Sequence, residues 1–292
     1  EWMGFTVNNG IIQSLSVSQI SSFNIKEYGG CPRSWYLEKV DGVKKPSFVY
    51  QEVGQKVHSQ NEHYLKTGED NLGRIAAAGR HLLPAPGPDL LVEWGFNDKP
   101  KPEDKHYFPS EESLLCAEEV PLIGFIDLAH ARGICVTPTG EVVQEPEGTV
   151  EAHDHKTTSN LRYVKSGEDL LETTQMVGYG KWLTIKFPWA RYVRLSHLYL
   201  STSGEPMAQK STVIVPAEEI HQRWGSQVLS VVRQMKEVAK AKRVEDVPMC
   251  PDAGEQGSAC NAYGKNGCPY KSICFNAMSR IKMGLLSSRK SA

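Results

Sequence analysis

Glu151-Ala152-His153-Asp154-His155-Lys156 is the stretch on which the reading of this fold turns. Side chains of an extended strand alternate between faces, so Asp154 and Lys156 share one side and His153 and His155 the other. A cation-binding carboxylate is thereby paired with an ammonium. A second acid stands upstream in Pro121-Leu122-Ile123-Gly124-Phe125-Ile126-Asp127-Leu128, where an apolar run delivers Asp127 just past a glycine. The 27-residue separation of Asp127 from Asp154 leaves room for a hairpin that sets both acids side by side. Two such carboxylates can hold Mg²⁺, which binds through one or two acids plus water and substrate phosphate. Taken alone, Asp-x-Lys also describes a solvated strand edge.

The flanking residues narrow the choice. His58 lies in Glu52-Val53-Gly54-Gln55-Lys56-Val57-His58, within an expected helix from about Ser47 to Lys66. Gln175 and Tyr179 stand four apart in a helix expected over Asp169 to Lys186, hence on one face. The order Gly-x-x-x-His, Gly-x-x-Asp, Asp-x-Lys, Gln-x-x-x-Tyr resembles the PD-(D/E)XK nuclease superfamily, in particular its RecB-type branch. The resemblance runs from about Ser16 to Phe275, and the order of four short motifs is more specific than any one of them. Ser16-Val17-Ser18-Gln19-Ile20 and Cys31-Pro32-Arg33-Ser34-Trp35-Tyr36-Leu37 resemble the opening helices of that branch. Cys268-Pro269-Tyr270-Lys271-Ser272-Ile273-Cys274 resembles the closing cysteine pair of the iron–sulfur motif in AddB-type and CRISPR-associated exonucleases. Those proteins usually carry a further cysteine three residues earlier; here that position is Lys265, and Cys260 is the nearest earlier thiol.

The resemblance therefore implies a [4Fe–4S] cluster on Cys31, Cys260, Cys268 and Cys274, with Cys250 in reserve; structural zinc or plain reduced thiols are the alternatives. Cys116 and Cys135 lie in apolar strand contexts that predict buried, inert thiols. The resemblance also implies Mg²⁺ or Mn²⁺ on Asp127, Asp154, His58 and the backbone carbonyl of His155. Lys156 then stabilises charge on the phosphate or positions water, and Gln175 and Tyr179 orient Lys156 or contact the DNA backbone.

With 292 residues, 40% hydrophobic and 23% charged, the chain can bury a sizeable core. No apolar stretch approaches the ~18 residues a membrane helix needs, and the start lacks a charged-then-apolar signal segment. Seven cysteines clustered toward one end fit metal ligation in a reducing compartment, so a cytoplasmic protein is expected. The formal net charge of −1 offers no global attraction for DNA. Two local runs could line a DNA path: Lys181, Lys186, Arg191 and Arg194 without an intervening acid, and the basic segment from Lys271 to Ala292. Each run also reads as a solvated face or tail.

Apolar spacing predicts a helical N-terminal layer over about 16–66, then strands at Leu90–Phe96, Leu114–Val120, Gly124–Ala131 and Thr149–Lys156. The Gln-Tyr helix, strands Tyr192–Leu200 and Ser211–Val215, and a helix over Ala217–Lys242 follow, leading to a cysteine-rich segment at about 250–275. The expectation is one α/β domain over residues 1–292. It has a central mixed β-sheet flanked by helices, a restriction-endonuclease-like core, and terminal segments joined at the cluster. The long connection between Asp127 and Asp154 is expected to reach over the active site toward DNA.

The function implied is a metal-dependent DNA exonuclease acting on single strands or DNA ends. The absence of a Gly-x-x-x-x-Gly-Lys-Ser/Thr segment means that unwinding requires a helicase or recombination partner. Two alternatives remain: a non-catalytic DNA-binding or assembly protein on the same fold, and a zinc hydrolase built on His153-x-His155.

Overall fold

Strand and helix boundaries follow the apolar periodicities of the chain. The elements used below run α1 (Pro32–Lys39), α2 (Gln51–Thr67), α3 (Arg74–Ala78), β1 (Leu91–Phe96), β2 (Val120–His130), β3 (Ile134–Val136), β4 (Val142–Gln144), β5 (Thr149–Thr158), α4 (Gly167–Leu170), α5 (Thr174–Lys186), β6 (Tyr192–Ser201), β7 (Ala208–Pro216), α6 (Ala217–Arg223) and α7 (Ser230–Val238). This computed structural model describes residues 7–8, 11–12, 20–21, 26, 28–43, 51–96, 115–250, 260–261 and 267–274. The chain divides into two compact units, one of Glu1–Ser47, Ala117–Val120 and Leu229–Ala292, the other of Phe48–Cys116 and Pro121–Val228.

The second unit is built on a mixed sheet. β5 and β6 are parallel, paired from Tyr192↔Thr149 to Ser201↔Thr158, while β6–β7, β2–β5 and β1–β2 are antiparallel. A parallel pair needs a crossover, and α4 and α5 supply it, so the Gln-Tyr helix is delivered to the sheet by the connectivity itself. β6 is buried along all but its first residue, as a central strand should be. Leu65, Leu82, Leu128, Leu198 and Leu200 form a core beneath α2 and α3. At Gly180 of α5 a Cβ would lie 2.9 Å from Ile220 Cδ1 of α6, so only glycine permits this spacing without displacing its neighbour.

Several expected boundaries shift. The Gln-Tyr helix begins at Thr174 rather than Asp169, because the Thr173 side chain caps it by accepting from Met176 N. Ser166 and Asp169 form a reciprocal capping box that gives α4 its own start. The expected helix over Ala217–Lys242 is interrupted by a π-helical segment at Trp224–Leu229. The strand expected over Leu114–Val120 is extended at Cys116–Ala117, then turns where Glu118 and Glu119 adopt φ of 50° and 66°. Ile20–Ser21 is extended rather than helical, and Ser16–Gln19 lie outside the described residues.

The connection between β2 and β5 forms a small hairpin, β3–β4, and packs where the sequence did not predict. Buried Lys210 of β7 donates to Val136 O at 2.7 Å, and Arg194 of β6 pairs with Glu145. Arg194 and Glu151 face each other in register, on the sheet face opposite Asp154. The hairpin thus covers the far side of the sheet instead of reaching over the acids. Arg194, expected to line a DNA path, is buried as the partner of Glu145 and Thr212. Cys135 is buried, donates to Glu145 Oε1 at 2.9 Å, and burial pushes its thiol up to about 12, in keeping with an inert cysteine.

In the first unit, α1 is fastened by its own polar side chains. Arg33 donates from Nε and Nη2 to Val247 O at 3.0 and 2.6 Å, and Tyr36 OH donates to Ala241 O at 2.8 Å. Trp35 is fully buried, edge-on to Tyr28. No described helix is long and apolar enough to cross a membrane.

Candidate active site

The β2–β5 register pairs Leu128 with His153, so its continuation sets Asp127 beside Asp154 on one sheet face. Both acids are buried, at 6% and 2% exposure. Asp127 Oδ2 accepts the backbone N–H of His155 at 2.5 Å and lies 3.5 Å from His58 Nδ1. Burial, then repulsion from Asp154, pushes the Asp127 carboxyl up to about 6.

His58 is carried in by α2, which approaches β5 closely at Gly54, where a Cβ would stand 3.3 Å from Thr157 Oγ1. Its Nε2 is 2.7 Å from the carbonyl oxygen of His155 and its Nδ1 is 3.9 Å from Glu93 Oε1. Burial opposes a charged imidazole here, but hydrogen bonding to Asp127 and Glu93 outweighs it and raises His58 to about 10. Acceptor oxygens thus converge on the place where the ring carries positive charge.

Lys156 Nζ lies 2.5 Å from Asp154 Oδ2 and donates to Gln175 Oε1 at 3.1 Å. Burial favours the neutral amine, yet the attraction of Asp154, followed by Asp127, raises its pKa and keeps it an ammonium. Gln175 Nε2 donates to Asp154 Oδ1 at 2.7 Å and to Tyr179 OH at 2.8 Å, while Tyr179 OH donates to Phe125 O at 2.6 Å. One amide therefore fixes the acid and the lysine at once, and the phenol anchors that amide to β2. Burial and then the two acids hold the Tyr179 hydroxyl well above its usual range, so it stays protonated.

This donor set fits a hard divalent cation. Carboxylate and carbonyl oxygens with one imidazole match Mg²⁺ or Mn²⁺ rather than a thiophilic metal. Asp127, Asp154, His58, the His155 carbonyl, Lys156, Gln175 and Tyr179, all expected from the sequence, come together. Two neighbours went unpredicted. His197 of β6 stands 3.6 Å from Asp154 Oδ2, and burial holds its ring neutral, down to about 4. Glu93 belongs with His58 and Asp127 to a group whose ligand atoms lie within 4.8 Å of one another. Its signal was present in the sequence as a lone acid inside the strand-like run Leu90-Leu91-Val92-Glu93-Trp94.

The His153-x-His155 pair does not assemble as one site. His153 Nε2 lies 2.9 Å from Glu151 Oε1 in a buried group with His130, whereas the His155 ring turns toward Asn61 at 3.4 Å. Lys210 Nζ, 3.4 Å from Glu151 Oε1, already supplies positive charge to that group.

In the first unit, Cys31, Cys260, Cys268 and Cys274 line one cavity, and Cys250 joins them with its Sγ 3.7 Å from that of Cys260. Burial, then a hydrogen bond with Cys260, pushes Cys250 up to about 12, and burial also raises Cys268 and Cys274. Five thiols converging in a pocket suit a thiolate-ligated metal centre, which would take the place of these protons. Arg33 Nη1, 3.6 Å from Cys274 Sγ, offers compensating positive charge.

Comparison with solved structures returns a candidate exonuclease from Eubacterium rectale at 11% identity and a TM-score of 0.42, covering 82% of this chain and 89% of that one. It also returns the protein SSO0001 at 10% identity and a TM-score of 0.34, covering 74% and 77%. No curated protein matches the chain. The family model that does match extends over residues 14–275 and takes in the acids, the lysine, the helix behind them and the cysteines, so the chain belongs to the PD-(D/E)XK nuclease superfamily.

Proposed function

We propose that this chain is a metal-dependent deoxyribonuclease of the RecB-type branch, an exonuclease acting on DNA ends or single strands in recombination, repair or phage-like DNA processing. The observation that carries this reading is the joint fixing of Asp154 and Lys156 by Gln175, beside Asp127. A structural core has no need for an ammonium that is 37% exposed and held against a buried acid pair.

His58, Asp127, Asp154 and the His155 carbonyl would hold Mg²⁺ or Mn²⁺, which polarises the scissile phosphate and lowers the pKa of water. Lys156, kept cationic by the acids, offsets negative charge building on the phosphate. Gln175 holds Lys156 and Asp154 in a fixed relation before substrate arrives, and Tyr179 holds Gln175. Pre-set geometry of this kind spares reorganisation during the reaction. Cys31, Cys260, Cys268 and Cys274, with Cys250 beside them, are assigned to a [4Fe–4S] cluster with a structural role, and unwinding is left to a helicase or recombination partner.

The test is digestion of end-labelled linear and circular DNA, single- and double-stranded, with Mg²⁺ or Mn²⁺. Release of label from linear DNA while circles survive is expected, with chelator and Asp154→Ala abolishing it. Cleavage of circles would overturn exonuclease action. Tight DNA binding without cleavage under either metal would favour the non-catalytic reading.

A further inference from the structure

Glu93 has a backbone φ of 51°, the left-handed region that L side chains with a Cβ avoid. It is not at a turn. β1 pairs with β2 on both sides of it, Val92↔Leu128 and Trp94↔Ile126, and the same register sets Glu93 opposite Asp127. A residue strained in mid-strand persists only where its surroundings impose that conformation, and such outliers gather at functional sites. Here the deviation occurs directly across from the acid of the active site. The Glu93 carboxylate joins His58 and Asp127 in a group with every ligand atom within 4.8 Å of the others. Asp154, the other acid of the site, is held in place by Lys156, Gln175 and Tyr179.

We propose that Glu93 is an additional carboxylate ligand of the divalent cation, sharing it with His58 and Asp127, and that the β1 backbone is kinked to deliver it. This rests on the assignment of the cation to Asp127, Asp154 and His58. A third carboxylate adds charge and raises affinity, while the His58 nitrogen tilts the preference toward Mn²⁺ over Mg²⁺.

The experiment is Mn²⁺ titration of the purified protein by calorimetry and by electron paramagnetic resonance, without DNA, alongside thermal melts. Glu93→Gln is expected to fold and to weaken Mn²⁺ binding at least tenfold. Glu93→Gly accepts the left-handed φ while lacking the carboxylate, and is expected to fold and to bind Mn²⁺ equally poorly. Wild-type affinity in Glu93→Gln overturns the inference, as does wild-type affinity in Glu93→Gly. Asp127→Asn separates the two readings: if it loses Mn²⁺ while Glu93→Gln does not, only the role of Glu93 fails. If neither variant changes binding, the cation site itself is misassigned.

Discussion

Replacing Lys156 by methionine keeps most of the aliphatic stem and removes one charge 2.5 Å from Asp154 Oδ2 and 3.1 Å from Gln175 Oε1. Two effects of opposite sign follow. A preorganised charge contact in the transition state is worth ~3 kcal/mol, so turnover should fall ~10²-fold at ~1.4 kcal/mol per decade. The same ammonium repels the cation held by the neighbouring acids. An ammonium and a divalent cation ~5 Å apart at an effective dielectric of ~20 repel by ~6 kcal/mol. Lys156 is 37% exposed, so solvent screening reduces this to about 1 kcal/mol, or an approximately fivefold gain in metal affinity. Lys156→Met should therefore bind Mn²⁺ as well as wild type or better while cutting DNA ~10²-fold more slowly. Asp154→Ala should lose both. Calorimetric metal titration paired with single-turnover cleavage separates the two variants. Near-normal turnover in Lys156→Met, or a metal affinity that collapses as in Asp154→Ala, would refute the division of labour.

The pH dependence has a definite sign. Asp127 titrates in the metal-free fold at about 6, above its unfolded value of ~3.9, so its contribution is full below ~3.9 and lost as pH rises through 6. His58, raised to about 10, contributes stability held below ~6.5 and lost between there and 10. Metal-free protein should accordingly melt progressively lower from pH 7 to 10, where the buried neutral histidines no longer titrate and His58 loses its proton, while the increment from Mn²⁺ grows, since the cation displaces that proton. A metal-induced increment that stays flat with pH would count against these ligands. Anaerobically purified protein should be brown, with about four iron and four sulfide per chain, and Cys268→Ser should bleach it. A colourless preparation with stoichiometric zinc would establish zinc instead.

The motifs of the candidate site were legible because each is local in the chain. A strand of period two puts Asp154 and Lys156 on one face, and a helix of period 3.6 does the same for Gln175 and Tyr179; that the two pairs meet followed from the family resemblance. Glu93 stood out in the sequence only as a lone acid in a strand-like run, and its place in the site depends on β1 pairing with β2 and on a φ that no residue type advertises. His197 likewise owes its position to the parallel register with β5, which pairs it with Asp154. The β3–β4 hairpin was misplaced for a related reason. Glycines and prolines announce a loop but not which sheet face will receive it, and that choice fell to Lys210 and Arg194, whose buried charges needed Val136 and Glu145. Cys250 looked secondary by motif and is a full member of its cavity, because sequence spacing between loop thiols does not measure their distance in space.

The convergence of Cys31 with Cys250, Cys260, Cys268 and Cys274 has a bearing on how the protein is made. Asp127 through Tyr179, the acids with their lysine and its supports, emerge as one short continuous segment. Cys31 must wait for partners made more than two hundred residues later, roughly 10–45 s at ribosomal rates of ~5–20 residues per second. Throughout that interval the nascent chain carries Cys31 without its cavity partners, open to oxidation or to mispairing with Cys116 and Cys135 as they appear. Yield in the cell should therefore respond to oxidant stress and to translation speed, even though the proposed cleavage site is built from oxygen and nitrogen groups.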